Sequence, residues 1–144
     1  MKKILYGLCL LMSTASFAAN PPVNEKVISS FNEVFPGVVN AKWYEYSNYY
    51  EVVFVNHDIS HRIKYGLQGE VLSVRRDYTE KDLPLFILSK VKSNFKGKRI
   101  FGVTEITCDE SVAYTIILED AKRWITVRSD ETGNMSIVKR LKKV

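Results

Sequence analysis

The chain is poor in the residues that build disulfides, metal centres and nucleotide loops: among 144 residues there are two cysteines, two histidines, seven glycines and four prolines. Cys9 falls in the apolar leader described below, which leaves Cys108 alone, so no internal disulfide forms and stability comes from packing. Cys108 reads as a small, partly buried side chain in an inserted loop, with an intermolecular disulfide as the alternative. His57 and His61 are the only imidazoles. On one extended stretch they lie about 13 Å apart, too far to share a metal, and even a turn at Asp58 brings no third ligand, so both read as turn or surface histidines. The glycines form no phosphate-binding pattern; Gly69 and Gly133 sit in hairpin turns. Nothing in the sequence flags a Ser or Cys nucleophile paired with a base, and the acidic pairs Asp109-Glu110, Glu119-Asp120 and Asp130-Glu131 read as turns, where solvated carboxylates are ordinary. These absences argue against an enzyme, and no catalytic residue, metal site or cofactor is expected.

Beyond the N-terminus no segment is apolar for long enough to span a bilayer. Residues 1–18 read as an export signal: Lys2 and Lys3 form a charged start, Ile4 to Met12 an apolar run, and Ser16-Phe17-Ala18 a small-x-small cleavage site. A membrane anchor is the alternative, but the run is about half the roughly 20 residues a span requires. Cleavage leaves residues 19–144, 126 in all, enough for one domain, with 19 basic residues against 16 acids and a net charge of +3. The expected location is the periplasm or the exterior, without membrane insertion after cleavage.

What the chain does have is an internal repeat. Shifted forward by 64 positions, Tyr50 falls on Tyr114, Gly69 on Gly133, Val74 on Val138 and Arg76 on Arg140; nearer the start of each half a shift of 60 places Ser29 on Ser89, Phe35 on Phe95, Gly37 on Gly97 and Glu45 on Glu105. The change of offset is a four-residue insertion around Thr107 to Val112. Each copy is one supersecondary unit, repeat one over about 24–78 and repeat two over about 79–144.

The grammar of each copy is a helix followed by strands. Val27, Ile28, Phe31, Val34 and Phe35 recur at helical spacing, with Asn24 as a cap and Pro36-Gly37 as a stop. In the second copy Asp82 caps a helix with Pro84 in its first turn, Leu85, Leu88, Val91 and Phe95 on one face and Gly97 at its end. The period then becomes two, predicting strands near residues 40–46, 50–56, 60–65 and 70–76, and again near 99–107, 112–119, 122–128 and 135–141. The fold class is therefore α+β: a tandem repeat of a helix and a four-strand antiparallel meander, joined as one eight-strand sheet with both helices on one face. Alternation puts Tyr50, Val52 and Phe54, and Tyr114, Ile116 and Leu118, beneath the helices, together with Ala41, Trp43, Phe101 and Val103. The other face is left open, carrying Lys42, Tyr44 and Tyr46 and the residues around Arg62, Lys64, Trp124, Thr126 and Arg128.

A helix ending in Phe35-Pro36-Gly37, Trp43 a few residues on, the run Tyr50 to Phe54, a glycine-containing turn, Leu83-Pro84 opening the second helix and a repeat of the strands together resemble the PepSY-like proteins. These are small exported bacterial proteins related in shape to the beta-lactamase inhibitory protein. The resemblance covers nearly all of residues 19–144 and implies tandem copies in one antiparallel sheet with helices on one side. It also implies that the uncovered face binds a protein.

Tyr44, Tyr46, Arg62, Trp124 and Arg128 are the candidate binding residues, because Tyr, Trp and Arg are the types in which interfaces concentrate their energy. The alternative is that such aromatics stabilise cross-strand neighbours and bind nothing. Lys139-Arg140-Leu141-Lys142-Lys143 reads as a solvated edge and tail, and export argues against a nucleic-acid partner. The expected function is a non-enzymatic binding module for an envelope protein or peptide. The alternatives are an inhibitor or regulator of an exported peptidase or hydrolase, or a weak small-molecule or cation binder using the acidic turns. The oligomeric state is open.

Overall fold

Asn24 starts the first helix as its cap, the side-chain oxygen accepting the Lys26 N–H at 2.9 Å, and the computed structural model describes the chain from there on both sides, over residues 22–144. The expected signal, its cleavage site and Cys9 lie outside the described residues. In chain order the elements are α1 (Glu25–Val34), β1 (Lys42–Glu45), β2 (Tyr49–Asn56), β3 (Ile59–Gly66), β4 (Val71–Tyr78), a 3-10 turn (Glu80–Asp82), α2 (Leu85–Asn94), β5 (Arg99–Cys108), β6 (Ser111–Glu119), β7 (Arg123–Asp130) and β8 (Met135–Lys142). The strands form one antiparallel sheet in sequence order, β1 to β8, so β4 and β5 join the repeats and β1 and β8 are its edges.

Both helices cover the same face, as one row of cross-strand partners demonstrates. Phe54, His61, Arg76, Glu105, Tyr114 and Ser129 follow one another across β2 to β7, and partners in register point to the same side. Phe54 lies in the core beneath α1, with Val27, Phe31, Trp43, Val52, Ile63 and Tyr65; Tyr114 lies in the core beneath α2, with Ile87, Val91, Val103, Ile116 and Val127. Phe31 packs edge-on against both Trp43 and Phe54, with centroids 5.3 and 5.2 Å apart. Burial of its ring contributes on the order of 2 kcal/mol.

Four local expectations are corrected. Asp82 does not cap α2: it ends the 3-10 turn, and Pro84 takes the cap position without a side-chain bond. The residue before a proline is driven out of helical geometry, and Leu83 is indeed extended (φ −73°, ψ 131°), which separates Asp82 from the helix. The later start turns Leu85 outward, at 80% exposure, and Ile87 inward. The four inserted residues are not a loop. They lengthen the β5–β6 hairpin, an even number that adds equally to both strands and keeps every side chain on its face. Cys108 is accordingly an exposed residue at the end of β5 rather than a partly buried one.

Between the two cores lies a polar seam. Glu105 is 6% exposed and accepts from Arg76 Nε (3.0 Å) and Nη2 (2.6 Å) and from the Tyr78 hydroxyl (2.6 Å). Its carboxylate thus binds β5 of repeat two to β4 of repeat one.

Candidate functional site

The face turned away from the helices carries the opposite parity of each strand. Tyr44, Glu51, Lys64, Ser73 and Cys108 make one row; Val53, Arg62, Arg75 and Ile106 make the next; Asp77, Thr104, Thr115 and Arg128 make a third. Tyr44, Arg62, Trp124 and Arg128 all have this parity, and Tyr46, in the β1–β2 turn, stacks on Tyr49 of the same face at 4.4 Å. The five candidates therefore share a side of the sheet but do not meet. Tyr44 on β1 and Trp124 on β7 are six strand spacings apart, about 29 Å. The face divides into two aromatic ends and a charged middle.

At the β1 end Tyr44 and Tyr46 are 45% and 44% exposed. Beside them Arg62 donates to Glu51 at 2.6 Å, and this carboxylate is 4% exposed although it lies on the helix-free face. Arg62 is committed to keeping a buried charge paired, since an unpaired one is strongly destabilising. In the middle, Arg75 donates two bonds to Asp77 (2.9 and 3.0 Å), and Thr104 donates a third at 2.5 Å. Burial opposes ionisation of Asp77, but these hydrogen bonds and the charges of Arg75 and Arg62 outweigh it and hold the carboxyl below its ordinary range.

At the β7 end Phe101, Ile117, Trp124, Thr126 and Leu141 line a shallow, largely apolar groove of about 320 Å³. Phe101 meets Trp124 edge-on at 4.8 Å, and the Lys143 ammonium lies 4.5 Å from the Trp124 ring centroid while pairing with Glu119 at 2.8 Å. The placement of Phe101 corrects the expectation that it packs beneath α2. A β-bulge between Ile100 and Gly102 sets two residues against Ile117 and turns Phe101 to the open face, 53% exposed. Gly102 inside a strand pattern was the available signal.

His57 occupies the β2–β3 turn with Asp58, both with positive φ (50° and 64°). His61, expected at the surface or in a turn, is 7% exposed on the helix side, stacked parallel on Phe54 at 4.8 Å with Phe35 at 5.5 Å. Burial lowers its pKa and the Arg76 charge lowers it further. The acidic turns are self-engaged. Asp130 accepts from Thr132 and Asn134 through backbone and side chain, and Asp120 from Lys98 and the Lys122 and Arg123 amides; hydrogen bonds, to Thr132 first in one and Lys98 first in the other, bring both carboxyls down to about 2. Among the described residues no three His, Cys, Asp or Glu side chains are grouped so as to hold a metal ion, and no helix among them is long and apolar enough to cross a membrane.

No protein-family model matches the sequence. Nor does any curated protein. Solved structures do match in shape. A DUF2874 family protein from Bacteroides ovatus is similar with a TM-score of 0.61 at 15% identity, covering 86% of this chain and 89% of that one. A BLIP-like protein from Bacteroides fragilis is similar at 0.60 and 13%, covering 84% and 86%. A structure described as a putative periplasmic protein from Bacteroides eggerthii is similar at 0.59 and 14%, covering 83% and 88%. At these identities the likeness establishes the fold, a BLIP-like sheet with its helices on one side.

Proposed function

We propose that this chain is an exported, non-enzymatic binding module of the PepSY-like kind, whose helix-free sheet face recognises a protein or peptide in the bacterial envelope. The observation that carries the reading is the asymmetry of the sheet. One side is sealed by α1 and α2, whereas the other presents exposed Tyr44, Tyr46 and Phe101 and a half-buried Trp124 around a ladder of internally paired charges. Exposed aromatics at two ends offer large contact area with few rotamers to freeze, and the charged middle excludes partners of the wrong pattern. Arg62 acts here by holding Glu51, and Arg128, exposed and without an ion pair among the described residues, is placed to meet an acceptor.

The test is partner recovery from a periplasmic extract with the parent chain and a Tyr44→Ala/Trp124→Ala variant, one substitution at each end. Loss of a specific partner supports the face; equal recovery of every partner by both proteins removes it. A second reading, restraint of an exported hydrolase or peptidase, is favoured by the shape shared with a BLIP-like protein. It predicts stoichiometric loss of the target's activity on titration, abolished by the same double variant. An unchanged activity across envelope hydrolases disposes of it.

A further inference from the structure

The two edges of the sheet are blunted differently. β1 is only four residues long, whereas β8 runs for eight, and all but its first residue are exposed. Long open edges invite pairing, and proteins guard them with short strands, proline or charge. β8 contains no proline and is guarded by charge. Lys139, Arg140 and Lys142 on β8, with Lys122 and Arg123 beside them, have no carboxylate partner among the described residues. A second copy of β8 brought alongside sets like charges opposite one another and is repelled. The same guard attracts a strand of opposite charge.

Backbone geometry shows which groups such a strand meets. The Lys143 N–H donates inward to the Lys122 carbonyl at 2.9 Å, and Arg123 lies opposite Lys142, Trp124 opposite Leu141 and Ile125 opposite Arg140. Hydrogen-bonding direction alternates along an antiparallel strand, so the N–H and C=O groups of Arg140 and Lys142 face outward, unpaired by β7. Leu141, between them, projects to the helix-free face, where it lines the Trp124 groove.

We propose that β8 is a strand-addition site for an acidic, extended peptide, which pairs with the outward backbone groups of Arg140 and Lys142. An antiparallel occupant reads, from its N-terminus, acidic opposite Lys142, apolar opposite Leu141, and acidic opposite Arg140 and Lys139. The apolar residue prolongs the groove; the acidic ones meet cations on both sides of the edge.

The probe is a fluorescein-labelled peptide of repeating Glu-Val-Glu-Glu sequence, titrated with the purified chain and read by anisotropy at low and moderate salt. Three comparisons decide the matter. The same peptide N-methylated at its central amides keeps its charge but cannot form the ladder, and is expected to bind about tenfold more weakly. A Lys-Val-Lys-Lys peptide is expected not to bind. The Arg140→Glu/Lys142→Glu variant, altered only at exposed positions and shown by circular dichroism to be folded, is expected to lose affinity for the acidic peptide and to gain it for the basic one. Equal binding of the methylated and unmethylated peptides overturns strand addition in favour of simple charge attraction, and absence of binding overturns the site altogether. Tyr44→Ala leaves this affinity unchanged, so failure here and failure of the sheet-face reading are separable.

Discussion

Replacing Glu105 by Leu tests whether the polar seam couples the two repeats. The carboxylate accepts from Tyr78 and Arg76, of which Tyr78 is 6% exposed and the Arg76 side chain 37%. Stranding the buried Tyr78 hydroxyl costs about 1–3 kcal/mol. Loss of the pair with Arg76 adds only about 0.5–1 kcal/mol, since a guanidinium that exposed turns to water. Relief from burying a charge returns about 1 kcal/mol, so the net destabilisation is about 2 kcal/mol. At a urea dependence of about 2 kcal/mol/M the midpoint falls by about 1 M. Trp43 lies in repeat one and Trp124 in repeat two, so Trp43→Phe and Trp124→Phe backgrounds leave one fluorescent reporter in each half. In the parent chain both reporters are expected to change together, as a cooperative unit requires. Adding Tyr78→Phe to Glu105→Leu removes the stranded hydroxyl and recovers about 1 kcal/mol. A Glu105→Leu chain within 0.5 kcal/mol of the parent (roughly the scatter of neutral surface changes), or a double variant with no recovery, refutes the reasoning.

Two further outcomes follow from the buried and strained positions. Burial first and the Arg76 charge second lower the His61 pKa in the folded chain, while the unfolded chain takes up its proton near the ordinary value of 6.5. Stability therefore declines as pH falls below about 6.5, and His61→Phe flattens that part of a melting-temperature profile; an unchanged slope contradicts the assignment. Gly69 and Gly97 both have positive φ, 92° and 74°, but a Cβ at Gly69 meets Ser30 Oγ at 2.7 Å and the Lys26 carbonyl oxygen at 2.9 Å, whereas at Gly97 it meets nothing within 4 Å. Gly97→Ala is expected to cost about 1 kcal/mol in chemical denaturation for its backbone alone. Gly69→Ala is expected to cost at least about 1 kcal/mol more, because α1 must shift; equal losses sink the distinction.

The order of elements was legible because periodicity is local. Spacing of three and four around Phe31 and alternation through Tyr50, Val52 and Phe54 mark helix and strand wherever one side is buried, and duplication supplied each reading twice. The side taken by Tyr44, Arg62, Trp124 and Arg128 followed from the same alternation. It failed at Phe101, where the bulge before Gly102 breaks the count, and at Leu85, where Leu83-Pro84 delays the helix. His61 was misjudged because a lone imidazole carries no sign of whether an aromatic shelf awaits it.

The amino-acid order alone determined the duplicated helix-and-meander plan and the parity of nearly every strand, since both arise from contacts between residues close along the chain. Only the assembled sheet decided that Glu105 would bridge the repeats, that Glu51 would be buried on an uncovered face, and that the aromatic residues would separate into two distant ends. Those outcomes depend on which strands lie side by side and on where an edge is left unpaired, and no local spacing encodes either.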